Sequence, residues 1–271
     1  MMEDLLQRRR AAPVSDRVWK EIDEAVRRSA THVLAGRRVA DFDGPKGWDH
    51  VASRLGTLRP GRGVEAVGTA RVWLPEVALL KEIRADFSLP WSEVEAFERG
   101  SRALETAPAE VAARDVAETE DRLVFHGDPD QPGFLASDKS PRQPLGDWRE
   151  PGRAVADLLG GVDALDRNGI AGPYAVVLDA ARFNAFWQAQ ASGCGYPASE
   201  QIKDRLEGVH RSMVVTGGAV FSCRGGDFII TVGGDLSVGY RWHDTDALHL
   251  FCVETVAAQL LSPEAVCLLT A

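Results

Sequence analysis

Two short constellations in this chain carry residue types that hold metals. Glu207 and His210 stand three apart, the spacing at which a helix offers a carboxylate and an imidazole side by side in di-iron carboxylate centres. Such a centre needs a second copy of the pair and two further helical glutamates. The sequence holds one copy, and Gly208 interrupts it. His243, Asp244, Asp246 and His249 are equally dense in ligand atoms. On a strand, 244 and 246 share one face and 243 and 249 the other, so they read as a solvated turn. The four cysteines, Cys194, Cys223, Cys252 and Cys267, include no Cys-x-x-Cys pair. They read as free thiols of a reducing compartment, three of them packed among strand residues.

Glycine-rich dinucleotide and phosphate loops, the Gly-x-Ser-x-Gly elbow and His-Glu-x-x-His are all missing. No metal, no cofactor and no catalytic residue is therefore expected, although a Ser–His–Asp triad assembled from distant positions stays open. Seven tryptophans (Trp19, Trp48, Trp73, Trp91, Trp148, Trp187 and Trp242) read as core and subunit-interface packing. A stacking platform for a planar cofactor at Trp91 is the alternative.

Composition narrows the classes further. Hydrophobic residues make up 45% and charged residues 26% of 271, an ordinary globular balance, and the net charge is −9. That charge argues against general affinity for nucleic acid or anionic membranes. The run Arg8-Arg9-Arg10 is the exception and reads as a solvated arm. No stretch approaches the ~18–20 apolar residues of a membrane span, and the start lacks a signal-peptide core, so a cytoplasmic protein is expected.

The elements that must carry these residues mix helices and strands without regular alternation, which gives an α+β class. A first helix follows Pro13, with Ser15 as cap, Asp16 in the first turn and Gly36 as stop. Its stripe is Val18, Ile22, Ala25, Val26, Ser29, Val33 and Leu34, with Trp19 beside it. From His50 to about Leu80 the chain is broken by Gly56, Pro60, Gly61, Gly63 and Gly68, and reads as a hairpin-like arm. Such an arm, lacking a core of its own, hints at packing on a neighbour. An acidic helical turn after Trp91 leads to a long helix with Pro108 in its first turn and Gly127 at its end. A loop-rich stretch spans 129–151, and a helix runs from Arg153 to Arg167. Then come the strand Tyr174–Leu178, a helix capped by Asp179, and a helical Ile202–Leu206. The closing run is read as a hairpin turning at Gly225-Gly226, with the strand Phe228–Val232 ended by Gly233-Gly234-Asp235 and two more strands beyond.

Several of these segments, in this order, resemble the encapsulins, proteins that assemble into hollow icosahedral shells. The resemblance lies in Ala12-Pro13-Val14, Trp19, Gly36-Arg37-Arg38-Val39-Ala40-Asp41 and Gly44-Pro45-Lys46-Gly47-Trp48. It continues in Trp91-Ser92-Glu93, Glu118-x-Glu120-Asp121, Phe125-x-Gly127 and Gly172-Pro173-Tyr174-Ala175-Val176-Val177-Leu178. Gly195-Tyr196-Pro197 and the glycine-punctuated run 224–251 complete it.

The resemblance implies the Hong Kong 97-type phage capsid fold. In that scheme 1–48 is an N-terminal arm and lumen-facing helix, and 49–80 an extended loop reaching a neighbouring subunit. Residues 81–133 and 228–271 make a peripheral domain with a spine helix, and 134–227 an axial domain. It implies a homo-oligomeric shell without nucleic acid or membrane. The shell captures a cargo enzyme, a dye-decolourising peroxidase or a ferritin-like iron oxidase, through a C-terminal targeting peptide. Iron storage or oxidative-stress defence is the implied role, and a phage or prophage capsid protein is the alternative. The positions matching the cargo site are Arg37, Asp41, Asp235, Leu236, Val238 and Tyr240, with Arg37 and Asp41 close enough in sequence to pair. The positions matching the five-fold pore loop are Ala191, Ser192, Gly193, Cys194, Gly195, Tyr196 and Pro197.

Overall fold

The computed structural model of the protein describes residues 6–61, 67–189 and 197–270. Along the chain run α1 (Asp16–Val33), β1 (Asp41–Asp43), β2 (Ala52–Pro60), β3 (Trp73–Leu79), β4 (Lys81–Pro90), α2 (Trp91–Glu98) and α3 (Ala107–His126). Two short strands, β5 (Gly127–Asp128) and β6 (Gln131–Pro132), precede β7 (Arg142–Pro144) and α4 (Arg153–Arg167). Next come β8 (Tyr174–Leu178), α5 (Ala180–Gln188), α6 (Ala198–Ile202), β9 (Leu206–Arg211) and β10 (Gly218–Ser222). The chain finishes with β11 (Phe228–Val232), β12 (Ser237–His243), β13 (Ala247–Leu260) and β14 (Val266–Thr270).

Strand β13 organises one sheet. Its run from Ala247 to Val256 pairs with β4 and the rest with β11, while β12 lies on its other side as the outer strand. β1 joins parallel to β11. The small residues of α3, Ala109, Ala112, Ala113 and Ala117, are buried and let it lie close to β4, β13 and α1. In α1 the buried stripe is Val18, Trp19, Ile22, Ala25, Val26, Ala30 and Val33, so Trp19 belongs to it while Ser29 and Leu34 lie at its margin. A second sheet has the order β7-β14-β10-β8-β9, backed by α4. Phe125, Phe134, Phe221 and Phe228 join the two sheets in edge-on and tilted ring contacts.

The expected arm is present as β2 and β3, paired antiparallel from Ala52↔Leu79 to Pro60↔Trp73 as a separate two-stranded sheet whose base packs on β13. Among the described residues, Leu58 is 60% and Trp73 53% exposed on it.

Several sequence expectations are corrected. β10 and β11 form no hairpin, since each lies in a different sheet. Gly225 and Gly226 do adopt positive φ (89° and 80°), but the turn carries the chain between sheets, and the Gly226 N–H donates to Asp41 Oδ2 at 2.6 Å. Leu206 opens a strand rather than ending a helix, because α6 stops at Ile202. Glu207 and His210 therefore sit on β9, where residues three apart face opposite sides. The C-terminal strand β14, grouped with 81–133 from sequence, pairs with β7 and β10 in the second sheet. Ser15 stands at the N-cap of α1, yet its side chain makes no cap bond, and its N–H donates to Glu98 Oε1 at 3.0 Å.

Candidate functional site

The segment after α1 is fixed by how closely it approaches α3. Gly36 has no positive φ; a Cβ there would lie 2.7 Å from Val124 Cγ1, so glycine serves contact rather than helix termination. The N–H groups of Ala35 and Gly36 donate to Asp121 Oδ2 and Oδ1 at 3.0 and 2.9 Å. Burial pushes the Asp121 carboxyl up to about 7, against the opposing effect of those two donors.

This register places Arg37 over two buried carboxylates. Its Nε and Nη2 donate to Glu120 Oε1 and Oε2, both at 2.7 Å, in a two-pronged pair. Nη2 also reaches Glu254 Oε2 at 3.0 Å and Nη1 reaches Asp235 Oδ1 at 2.9 Å. The guanidinium lies 5.2 Å from the Phe42 ring centroid. Burial alone would lower the Arg37 pKa, but the Glu120 bonds and the charges of Glu120, Glu254 and Asp235 raise it above its ordinary value. Burial, followed by the adjacent Glu120 charge, drives Glu254 well above the usual carboxylate range. Glu254 Oε1 is buried without a hydrogen-bond partner, which also suits a carboxyl that stays neutral.

Arg37 and Asp235 then form one end of a groove of about 750 Å³ between α1 and the start of β12. Trp19, Val26 and Ala30 supply its apolar wall and Leu236 faces them, with Lys20, Glu24 and Arg27 around the rim. The N-terminal arm closes another side through Gln7 and Arg9.

Of the positions matched to a cargo site, Arg37, Asp235 and Leu236 line this groove. Val238 and Tyr240 are buried in β12, and the Tyr240 hydroxyl bonds His243 Nδ1 at 2.6 Å. Asp41 does not pair with Arg37, as expected from spacing, because Gly226 takes its carboxylate and α3 takes the guanidinium. Ala191 to Tyr196 of the pore-loop positions lie outside the described residues, and Pro197 caps α6. Glu120, Glu254 and Asp23, the last on the groove lining, were not among the positions matched from sequence. A signal existed for the first: Glu120 continues the buried stripe Ala109, Ala112, Val116 at the next turn of α3.

The His243 to His249 cluster also differs from expectation. The hairpin turn between β12 and β13 brings Asp244 and His249 together, Oδ2 to Nε2 at 3.1 Å, with Ser88 Oγ 2.7 Å from His249 Nδ1. Serine hydrolases place serine on Nε2 and the carboxylate on Nδ1, so the order here is reversed. Asp244 Oδ1 accepts from the N–H groups of Asp246 and Ala247, and Trp242 stacks on the imidazole at 4.0 Å. The His249 bond and those N–H donors hold Asp244 down to about 2. The arrangement ties the turn to β4. Among the described residues no group of three or more His, Cys, Asp or Glu could hold a metal, and no helix is long and apolar enough to cross a membrane.

An α+β body with an α3 spine, a separately paired two-stranded arm and an inter-element groove defines a capsid-type building block. Residues 2–257 match the family described as "Encapsulating protein for peroxidase". The chain is 35% identical to a type 1 encapsulin shell protein of Rhodospirillum rubrum, over 97% of this chain and 95% of that one. It is 32% identical to another from Rhodococcus erythropolis, over 94% and 96%. Its fold is similar to that of a virus-like particle from Pyrococcus furiosus (TM-score 0.67, 16% identity, 93% of this chain and 99% of that chain). The capsid of Myoviridae phage XM1 is also similar (TM-score 0.60, 10% identity, 88% and 92%). The chain belongs to the encapsulin shell-protein family and has the Hong Kong 97-type capsid fold. Its relatives are named as shell proteins, a structural role and not an enzymatic one.

Proposed function

We propose that this shell protein closes into an icosahedral cytoplasmic compartment. It takes up a cargo protein by laying the cargo's C-terminal peptide in the groove between α1 and β12. The observation that carries assembly is the β2–β3 arm, on which Leu58, Trp73, Leu74 and Val77 are 39–60% exposed among the described residues. A second copy supplies the surface they need, since apolar area of this kind is stable only when buried. Peptide capture is supported by a groove that combines an apolar wall with a fixed guanidinium. Arg37, Asp235 and Leu236 contact the peptide, while Val238 and Tyr240 support β12 from behind. Residues 191–197 line the opening at the five-fold axis.

The family description supports a peroxidase as cargo, here of the dye-decolourising class, with a ferritin-like iron oxidase as the other candidate. The test is co-expression with a fluorescent protein carrying the C-terminal tail of such a peroxidase. Fluorescence that travels with the particle, and is lost with Leu236→Asp but retained with Asp41→Asn, is the expected result. Retention by Leu236→Asp would move the peptide site elsewhere.

A further inference from the structure

The N-terminal arm closes one side of the groove with Gln7 and Arg9, and Arg9 is the charged group of the two. Arg9 opens a short 3₁₀ turn, Arg9–Ala11. Its Nε donates to the Val238 carbonyl at 2.7 Å, and Nη1 and Nη2 donate to Asp23 Oδ2 and Oδ1 at 2.8 and 2.5 Å. The guanidinium carbon stands 4.7 Å from the Trp19 ring centroid. A carboxylate fork, a carbonyl oxygen and an aromatic face are the three kinds of group that recognise a cation. All three belong to the groove side, to α1 and β12, and none to the arm.

Position adds to the chemistry. β12 is the outer strand of its sheet, so its outward carbonyls are acceptors that an incoming extended chain uses when it docks on an edge. Arg9 occupies one of these at Val238. Trp19 and Asp23 line the groove itself, so the cage is continuous with the surface a peptide would cover. The contact is also exchangeable. The Arg9 and Asp23 side chains are 26% and 41% exposed, so an incoming cation reaches the pair from solvent.

We propose that Trp19, Asp23 and the Val238 carbonyl form a cation subsite of the groove, filled by Arg9 in the empty protein and taken over by a lysine or arginine of the bound peptide. The inference rests on the peptide-groove reading above. Arg9 is then an internal competitor, and removing it favours basic peptides while leaving neutral ones unaffected.

The test uses the full chain co-expressed, at limiting guest level, with green fluorescent protein bearing one of two C-terminal tags. The tags are Leu-Ser-Leu-Lys-Ser-Leu and the same sequence with Gln for Lys, the leucines being chosen for the apolar wall. Guest per shell is read from purified particles, with particle formation checked by electron microscopy and Arg9→Gln made beside Arg9→Ala as a milder change. The expected result is that removing Arg9 raises loading of the Lys tag about fivefold. Loading of the Gln tag stays unchanged, and Asp23→Asn erases the preference for Lys. If both tags load but the Arg9 variants change them equally, or Asp23→Asn keeps the preference, the subsite is refuted and the groove stands. If neither tag loads in any variant, the groove reading fails and the subsite falls with it.

Discussion

Glu120→Gln tests how the site is held together. Glu120 is fully buried and forms the two-pronged pair with Arg37, whose side chain is 17% exposed. Breaking a buried pair from one side costs about 3–5 kcal/mol, because a charge is left without its partner. Here part of that loss is recovered. After burial, the Glu120 charge is the next cause that raises Glu254, so removing it shifts Glu254 back toward the ionised form that serves Arg37 at 3.0 Å. The cost therefore falls at the lower end, about 3 kcal/mol, or roughly 6 °C in Tm at about 2 °C per kcal/mol for a chain of this size. Glu254→Gln behaves differently. It replaces a neutral carboxyl by a neutral amide that still offers an oxygen to Arg37, so Tm stays within about 2 °C of the native value. The double variant loses the compensation and falls below the sum of the singles by about 1–2 kcal/mol. The assay is calorimetric unfolding at pH 7 and matched protein concentration, with the assembly state verified, since association adds to apparent stability. A Glu254→Gln loss equal to that of Glu120→Gln, or strict additivity in the double variant, would refute the assignment of the charge to Glu120.

Three further outcomes follow. The Asp121 carboxyl is raised to about 7 from 3.8, so its stabilising contribution is complete below about pH 4 and is lost as pH rises through 7. Asp121→Asn should thus gain on the native protein by up to about 4 kcal/mol between pH 4 and pH 8, and a Tm difference flat across that range would contradict it. Gly36→Ala puts a methyl 2.7 Å from Val124 Cγ1 and should cost about 1–3 kcal/mol in thermal unfolding, whereas an unchanged Tm would mean α3 can give way there. Replacing Leu58 and Trp73 by serine should leave the fold intact by circular dichroism, since both are exposed, yet shift the protein from particles to free subunits in gel filtration; normal particles would remove the arm from the assembly contacts.

Local elements were the most legible part of the sequence. Asp179 caps α5 with a bond from the Arg182 N–H at 2.7 Å, and the apolar run Tyr174–Leu178 is a fully buried strand. The arm was visible from its glycines and its lack of core residues. What local pattern could not reveal was which sheet each strand joins. Gly225-Gly226 looks the same in a hairpin and in a crossover, and β14 finds its partners more than 40 residues upstream in β10 and farther still in β7. The groove was partly legible because Arg37, Asp235 and Leu236 stood in matched segments. The rest depended on long-range pairing: Arg37 bonds Glu120 and Glu254, 83 and 217 residues away, and this defeated the i, i+4 expectation for Asp41. Arg9 looked like part of a solvated run because nothing local announces the Asp23 carboxylate or the Val238 carbonyl that hold it.

Closure of this 29.4 kDa chain into a shell is the property from which cargo capture would follow. Electron microscopy of the purified chain, with mass measurement of the same sample, addresses it directly. Hollow particles of uniform diameter and a mass of many subunits are expected. A monomer or dimer of about 30–60 kDa that persists as the protein concentration is raised would contradict closure.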